Sequence, residues 1–263
     1  MNRLENRICV VTGAGRGIGA AIVRHFVNEG ASVVVTDKNL NSAKDVATEI
    51  GGEARLLDVS REDHWNVFAD EFPQIDVLVN NAGVTGFEDV MVPQDPENAS
   101  LTDWRDVHRV NLDGTFLGCR YAIRAMRNAA AGSIINISSR SGLVGIPRAA
   151  AYASSKAAIR NHTKTVALYC AEEGLKVRCN SIHPAAILTP MWEPMIGNGP
   201  DRQARLEACV ADTPLRRFGT VDEVASVCVM LASDEATYIT GTEITIDGGL
   251  LAGSTASPKQ VTT

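Results

Sequence analysis

A tyrosine and a lysine stand four residues apart, at Tyr152 and Lys156, in an alanine-rich stretch that is typical of a helix. Side chains at this spacing lie on one face of a helix, so the phenol and the ammonium should be neighbours. A free phenol has a pKa of about 10, and a nearby positive charge favours the phenolate. The pair is therefore a candidate proton donor and acceptor for interconverting an alcohol and a ketone. Such pairs also occur on ordinary protein surfaces, so the surroundings decide their meaning.

Two serines, Ser138 and Ser139, follow the apolar run Ile135-Asn136-Ile137, which is typical of a buried strand. Parallel sheets bind ligands beyond the carboxyl ends of their strands, which is where these hydroxyls would lie. A hydroxyl there can donate a hydrogen bond to a substrate oxygen and stabilise its developing charge. Either serine could instead bond to backbone and serve only the fold.

A glycine-rich loop, residues 12–19, joins the first strand-like run to the first helical stretch. Glycine lets the backbone turn tightly and approach a pyrophosphate, whose charge is favoured by the N-terminus of the following helix. A flexible turn is the simpler interpretation, but the strand–helix junction favours a ligand. We predict that the loop binds a dinucleotide through Gly13, Gly15, Arg16, Gly17, Ile18 and Gly19.

The choice between NAD and NADP depends on Asp37, at the end of the second strand-like run. A carboxylate there accepts hydrogen bonds from the adenosine ribose and repels a 2′-phosphate. Arg16 and Lys38 are near enough in sequence to pair with such a phosphate. We give Asp37 more weight and predict NAD(H) as the cofactor, with NADP(H) as the alternative.

Two further segments are expected on the adenosine side of the cofactor. Asp58 and Val59 follow the third strand-like run, and Asn81-Ala82-Gly83 follows the fourth. Small or polar residues there would let the backbone approach the adenosine. Asp58 could equally cap the next helix, and the Asn81 turn could simply stabilise its strand.

Seven strand-like runs alternate with helical stretches, which predicts an α/β fold: a doubly wound, Rossmann-like parallel sheet with helices on both faces. Residues 1–252 should form a single catalytic and dinucleotide-binding domain, with a substrate loop over about 185–218 and a flexible tail at 253–263. The polar stretch 84–101 should border the same site. The strands are expected at 7–12, 32–37, 54–57, 76–79, 133–138, 176–182 and 243–246, and the helices at 17–29, 41–50, 61–71, 103–129, 151–173 and 221–232.

Composition excludes several other classes of protein. The 263 residues carry a net charge of −6, which argues against a nucleic-acid partner. The five histidines and six cysteines show no metal-ligand spacing, so we expect no metal, and the cysteines indicate a reducing compartment. No apolar run is long enough to span a membrane. We therefore expect a cytoplasmic protein without membrane contact.

Taken together, these motifs resemble the short-chain dehydrogenase/reductase family over about residues 5–250. The shared features are the loop at 12–19, Asn-Asn-Ala-Gly at 80–83, Asn111, Ser139 at 13 residues before Tyr152, the Tyr152/Lys156 pair, the segment 180–189 and Asp247-Gly248. The resemblance implies that Tyr152 is the general acid and base and that Ser139, rather than Ser138, holds the substrate oxygen. It also implies that Lys156 binds the nicotinamide ribose and that Asn111 holds a water in a proton relay.

The resemblance further implies that Pro184, Ile187 and Thr189 bind the nicotinamide carboxamide. Ala185 departs from the family, which usually has glycine there, so strain or a shifted cofactor is a possible consequence. Relatives of this type are commonly homotetramers built through helices 103–129 and 151–173 and the C-terminal region, and we expect the same here.

Apolar residues near the predicted site, among them Leu143, Met191 and Trp192, are candidates for contacting substrate. With Ser139 and Tyr152 they favour a bulky alicyclic or hydroxysteroid-like secondary alcohol, although the loop could instead pack on the core or on another subunit. An alternative is an NADPH-dependent 3-oxoacyl-thioester reductase, which Arg16 favours and the acidic charge and Asp37 disfavour. A non-catalytic dinucleotide-binding protein is a further alternative, but it would be expected to lack one of the three catalytic side chains.

Overall fold

The sheet consists of seven parallel strands, as predicted. The computed structural model describes residues 2–88 and 92–253. The strands lie side by side in the order β3-β2-β1-β4-β5-β6-β7. Their bounds are β1 Ile8–Thr12, β2 Ser32–Asp37, β3 Glu53–Leu56, β4 Val77–Asn80, β5 Gly132–Ile137, β6 Val177–Pro184 and β7 Glu243–Ile246.

Helices cover both faces of this sheet. They are α1 Gly17–Asn28, α2 Leu40–Ile50, α3 Glu62–Glu71, α4 Leu101–His108, α5 Gly114–Ala125, α6 Ala150–Glu172, α7 Glu193–Ile196, α8 Arg202–Cys209 and α9 Val221–Ala232. Several begin at side-chain caps; Thr220 and Glu223, for example, form a capping box at the start of α9.

Side chains alternate along each strand and so supply two separate cores. Val11, Val35 and Val79 pack against α1, α2 and α9 on one face. Val10, Val34 and Leu78 pack against α3, α5 and α6 on the other. The inner strands are therefore apolar at almost every position, which explains why they were recognisable in the sequence.

Two predicted elements differ from the structure. The helix expected at 103–129 is divided into α4, a π-helical turn at Arg109–Asp113, and α5, which ends at Ala125. The region 185–218, expected to be irregular, contains a 3-10 turn at Pro190–Trp192 followed by α7 and α8. Helix α8 buries none of its residues and α7 has only four, so neither shows an apolar stripe. Apart from Gly253, the predicted flexible tail lies outside the described residues.

Candidate active site

The Tyr152/Lys156 pair lies near the start of α6, facing the carboxyl end of β5. The Lys156 ammonium is 5.7 Å from the centre of the Tyr152 ring. It donates a hydrogen bond of 2.9 Å to the carbonyl oxygen of Ile137, the last residue of β5. Only 4% of Lys156 is exposed. The lysine is thus buried between its helix and the sheet edge, with its charge directed to one carbonyl.

Ser138 and Ser139 have different hydrogen-bond partners in the structure. The Ser138 hydroxyl donates to the backbone oxygen of Lys156 at 2.8 Å, so it joins β5 to α6. The Ser139 hydroxyl accepts from the backbone nitrogen of Ser141 at 3.1 Å. The Ser139 carbonyl is held by His183 Nδ1 at 3.0 Å. The Ser139 side chain also lies near enough to the Tyr152 phenol to affect its pKa, so the two hydroxyls belong to one cluster.

The protonation of the pair differs from the sequence-based expectation. Burial raises the pKa of Tyr152, the nearby Ser139 hydroxyl partly lowers it, and the negative charge of Glu88 raises it further. The expected lowering by the lysine is not found, because desolvation dominates and the ammonium is bonded to Ile137. Burial also lowers the pKa of Lys156, to about 8.

Asn111 lies in the π-helical turn and is fully buried. Its Nδ2 donates to the backbone oxygen of Val84 at 2.9 Å and to the Ser155 hydroxyl at 3.0 Å, while Oδ1 accepts from the Val84 nitrogen at 2.8 Å. Both side-chain hydrogens are thus used to join the loop after β4 to α6. A water held by this residue would have to bind one of its oxygens, either Oδ1 or the backbone carbonyl, which also accepts from the Thr115 hydroxyl at 2.7 Å.

The glycine loop is built for close approach to a dinucleotide. A Cβ at Gly13 would lie 2.8 Å from the Ala82 backbone, and one at Gly19 would lie 2.6 Å from Asn81 Nδ2. Gly17 begins α1 with a φ of +60°, which favours glycine. Among the described residues no side chain caps the N-terminus of α1, so its amide groups suit a pyrophosphate. The loop therefore fits the predicted cofactor.

Asp37 lies beside this loop, as predicted. Its Oδ2 accepts from the Gly15 nitrogen at 3.1 Å and its Oδ1 from the Asn39 nitrogen at 2.9 Å. The carboxylate is half-buried, while Arg16 and Lys38 are exposed. The negative charge is therefore fixed beside the glycine loop, and the two basic side chains are exposed to solvent.

The residues predicted on the adenosine side also make contacts within the fold. Asp58 Oδ1 accepts hydrogen bonds from the Ser60 nitrogen at 3.0 Å and from the Ser60 hydroxyl at 2.7 Å. Burial of the carboxyl group raises its pKa, but these hydrogen bonds outweigh burial and keep the pKa of Asp58 below its ordinary value. Val59 is buried, and a Cβ on Gly114 would lie 2.7 Å from it. Asp58 therefore does not cap α3, whose N-cap residue is Arg61 without a side-chain cap, and its contact with adenosine stays a prediction.

Asn81 supports the glycine loop. Its Nδ2 donates to the backbone oxygens of Thr12 and Gly13, at 2.9 and 3.1 Å. The Thr12 hydroxyl in turn accepts from the nitrogens of Asn81 and Ala82, at 3.0 and 3.1 Å. Sequence reasoning missed this role of Thr12, although the residue begins the recognised motif.

The segment after β6 lies opposite the glycine loop. Pro184 ends β6, and the Thr189 side chain is 3.8 Å from the Cβ position of Gly17. The Ile187 nitrogen donates to the Ala185 oxygen at 3.0 Å in a tight turn. Among the described non-glycine residues only Asn6 and Arg216 have positive φ, so the strain considered for Ala185 is not found.

The candidate substrate residues Leu143, Met191 and Trp192 are each half-buried. Trp192 packs edge-on against Phe218 with ring centres 5.3 Å apart, so part of its apolar surface serves the loop itself. A cavity of about 330 Å³ lies nearby, between Ala185–Ile187 and Gly248. The catalytic candidates lie outside that cavity.

Within residues 2–88 and 92–253, no group of three or more potential metal ligands is present. No helix in those ranges is long and apolar enough to cross a membrane.

A glycine loop against a helix N-terminus, a parallel sheet and a Ser–Tyr–Lys cluster at its carboxyl edge define a dinucleotide-binding oxidoreductase. Comparison with known proteins gives the same class. A family model described as enoyl-(acyl carrier protein) reductase matches residues 13–251. The chain therefore belongs to the short-chain dehydrogenase/reductase family, whose members bind a nicotinamide dinucleotide.

Individual relatives match over nearly their full length. The chain is 38% identical to the NADP-dependent (R)-specific alcohol dehydrogenase of Lentilactobacillus kefiri, over 95% of this chain and 99% of that protein. It is 39% identical to the 3-alpha-(or 20-beta)-hydroxysteroid dehydrogenase of Mycobacterium bovis, over 95% of this chain and 92% of that protein. The crystal structure of levodione reductase superposes with a TM-score of 0.86 at 29% identity, covering 96% of this chain and 100% of that one.

Proposed function

We propose that this protein is an NAD(H)-dependent oxidoreductase that interconverts a secondary alcohol and a ketone, using Ser139, Tyr152 and Lys156. The observation that carries the proposal is that Ser139, Tyr152 and Lys156 meet at the sheet edge, with the Lys156 ammonium 5.7 Å from the phenol ring. The bound nicotinamide would accept or supply the hydride. The side chains of this protein would transfer the proton and hold the substrate and the cofactor.

Tyr152 transfers the proton at the substrate oxygen. Because its pKa is raised, the phenol is protonated near neutrality and can donate to a forming alkoxide during reduction. Ser139 donates a hydrogen bond to the same oxygen and stabilises its charge. Lys156 binds the nicotinamide ribose with its ammonium, and Asn111 positions α6 against the loop after β4.

NAD(H) is proposed over NADP(H) because the Asp37 carboxylate is bonded into the glycine loop at 3.1 Å from the Gly15 nitrogen. A 2′-phosphate would meet that negative charge. The NADP-dependent relative from Lentilactobacillus kefiri makes the opposite preference a serious alternative. The remaining cofactor contacts are proposed at Gly13, Gly15, Arg16, Gly17, Ile18, Gly19, Asp58, Val59, Asn81, Ala82, Gly83, Pro184, Ile187 and Thr189.

The proposed substrate is an apolar alicyclic or hydroxysteroid-like secondary alcohol. The half-buried Leu143, Met191 and Trp192 support an apolar wall, and the hydroxysteroid dehydrogenase relative supports this class. The second candidate, reduction of a 3-oxoacyl thioester, is favoured by the family model, which is named for acyl-carrier-protein chemistry. The net charge of −6 disfavours an acidic carrier protein as partner.

A substrate panel with both cofactors tests the proposal. Cyclic secondary alcohols, their ketones and a 3-oxoacyl thioester would each be assayed with NAD(H) and NADP(H). We expect turnover of the cyclic compounds with a higher kcat/KM for NAD(H). The variant Asp37→Ser should raise kcat/KM for NADP(H), and Asp45→Asn, which removes an exposed carboxylate in α2, should not. Turnover of the thioester alone would support the second candidate instead.

The same proposal includes assembly, domain organisation and location. We propose a homotetramer, because α4, α5 and α6 leave apolar side chains such as Phe116 and Leu168 exposed, at 46% and 72%.

We propose that residues 1–252 form one domain with a substrate loop at 185–218. The six free thiols support a reducing, cytoplasmic environment.

A further inference from the structure

The turn Thr85–Glu88 lies over the start of the catalytic helix. Val84, the preceding residue, is held to Asn111 by two hydrogen bonds, of 2.8 and 2.9 Å. Asn111 bonds to the Ser155 hydroxyl at 3.0 Å, which donates to the Tyr152 backbone oxygen at 2.7 Å. Three short links therefore connect this turn to the backbone of the catalytic tyrosine.

A second attachment fixes the other side of the turn. Gln94 is 3% exposed; its backbone oxygen accepts from the nitrogen of Ala150, the first residue of α6, at 2.9 Å. Its Nε2 donates to the Gly86 oxygen at 3.4 Å. A Cβ on Gly86 would lie only 2.7 Å from that nitrogen, so the contact is close. The turn is thus anchored to α6 from both directions.

Within this turn the Glu88 carboxylate is held rigidly. Its Oε1 accepts from the Thr85 nitrogen and hydroxyl, at 2.6 and 2.9 Å. Its Oε2 accepts, among the described residues, a single hydrogen bond, from the Gly86 nitrogen at 2.9 Å. A carboxylate oxygen can accept two, so Oε2 keeps a free lone pair. Glu88 is exposed, and its charge lies near enough to the Tyr152 phenol to raise the pKa of that phenol.

We propose that Glu88 is a specificity residue that accepts a hydrogen bond from a second hydroxyl group of the substrate, so that the preferred substrates are alicyclic diols or hydroxy ketones. The inference rests on the proposed function and narrows its substrate class. One wall of the site is apolar, from Leu143, Met191 and Trp192. A fixed carboxylate on the Tyr152 side gives such a substrate a polar contact away from the reacting carbon.

The test compares cyclohexane-1,2-diol with cyclohexanol in the wild-type enzyme and in Glu88→Gln. Gln keeps an acceptor for the Thr85 nitrogen but loses the charge that strengthens a hydrogen bond to a hydroxyl. We expect the ratio of kcat/KM for the diol to that for cyclohexanol to fall about tenfold. Glu97→Gln, an exposed carboxylate of the same stretch, should leave this ratio at the wild-type value.

The pH profile supplies a second readout. The ionisable groups around the phenol are Glu88 and Lys156; His183 bonds to the Ser139 carbonyl, and His108 bonds to the Ser154 hydroxyl at 3.2 Å. Removing the Glu88 charge should shift the pH profile for cyclohexanol oxidation to lower pH, and a purely structural residue would not cause this shift.

An unchanged diol-to-cyclohexanol ratio in Glu88→Gln would overturn the inference while leaving the proposed function intact. Failure of the wild-type enzyme to oxidise either alcohol with either cofactor would overturn both. Because each variant is judged on a ratio of two substrates, partial loss of folded protein does not affect the result.

Discussion

Burial governs the protonation of the two side chains proposed to handle the proton. It raises the pKa of Tyr152 and lowers that of Lys156 to about 8. The phenol therefore stays protonated through neutral pH, and the ammonium loses its proton as the pH rises through about 8. The free enzyme is thus arranged to donate a proton, which is the requirement of ketone reduction.

This arrangement predicts opposite pH profiles for the two directions. Ketone reduction needs the protonated phenol and the charged lysine, so its kcat/KM should be steady below neutrality and fall above a pH of about 8. Alcohol oxidation needs the phenolate and the same charged lysine, so its kcat/KM should rise with pH up to about 8 and then level off. Steady-state assays in both directions over about pH 6 to 10 would check this. Profiles that fall together at alkaline pH would contradict it.

At the scale of elements, the strands were predictable because their inner positions are apolar on both faces, as in Val33–Val35 of β2. The glycine loop, Asp37 and the Ser139–Tyr152–Lys156 cluster were predictable because each stands at the end of a strand or on one face of a helix. The prediction that the lysine lies close to the phenol was also correct. The expected lowering of the tyrosine pKa was wrong, because burial of the phenol raises this pKa and residue spacing does not reveal burial.

The π-helical turn and the Glu88 contacts were likewise hidden from the sequence. The turn exists where Asn111 directs its amide to Val84, which is 27 residues away in the chain. Helical periodicity carries no information about such a partner. Glu88 is an ordinary exposed acid in sequence terms, and only its three bonds within the turn distinguish it.

Gly118 in α5 provides a test of packing between a helix and the sheet. A Cβ at this position would lie 2.1 Å from Asn80 Oδ1 at the end of β4. Alanine normally stabilises a helix by up to about 1 kcal/mol relative to glycine. Here we expect Gly118→Ala to lower the free energy of unfolding by about 1–3 kcal/mol, through overpacking. Chemical denaturation measures this change.

The control for that variant is Gly199→Ala, because a Cβ there meets no atom within 4 Å among the described residues. Its free energy of unfolding should stay close to the wild-type value. A Gly118→Ala protein as stable as the wild type would show that α5 can move away from β4 at little cost.

At the scale of the whole molecule, the proposed tetramer accounts for apolar side chains that the single chain leaves in solvent. Leu101, Phe116, Leu168 and Tyr169 are 61, 46, 72 and 42% exposed. They come from α4, α5 and α6, the helices on one face of the sheet. An exposed surface of this kind favours association.

Light scattering after size-exclusion chromatography would test the assembly. We expect a mass near four times the 28.1 kDa of one chain. Leu168→Glu should lower the mass by introducing charges into the interface. Val67→Glu, at a 61% exposed valine of α3, should leave it unchanged. A wild-type monomer would contradict the proposed homotetramer.

The most direct test of the account is the turnover of Tyr152→Phe, which removes one hydroxyl group and keeps the ring. We expect a loss of turnover of about 10²–10⁴-fold, the usual contribution of a general acid or base. NADH affinity, followed by titration of cofactor fluorescence, should stay close to the wild-type value. Turnover near the wild-type rate in this variant would contradict the claim that the Tyr152 phenol transfers the proton.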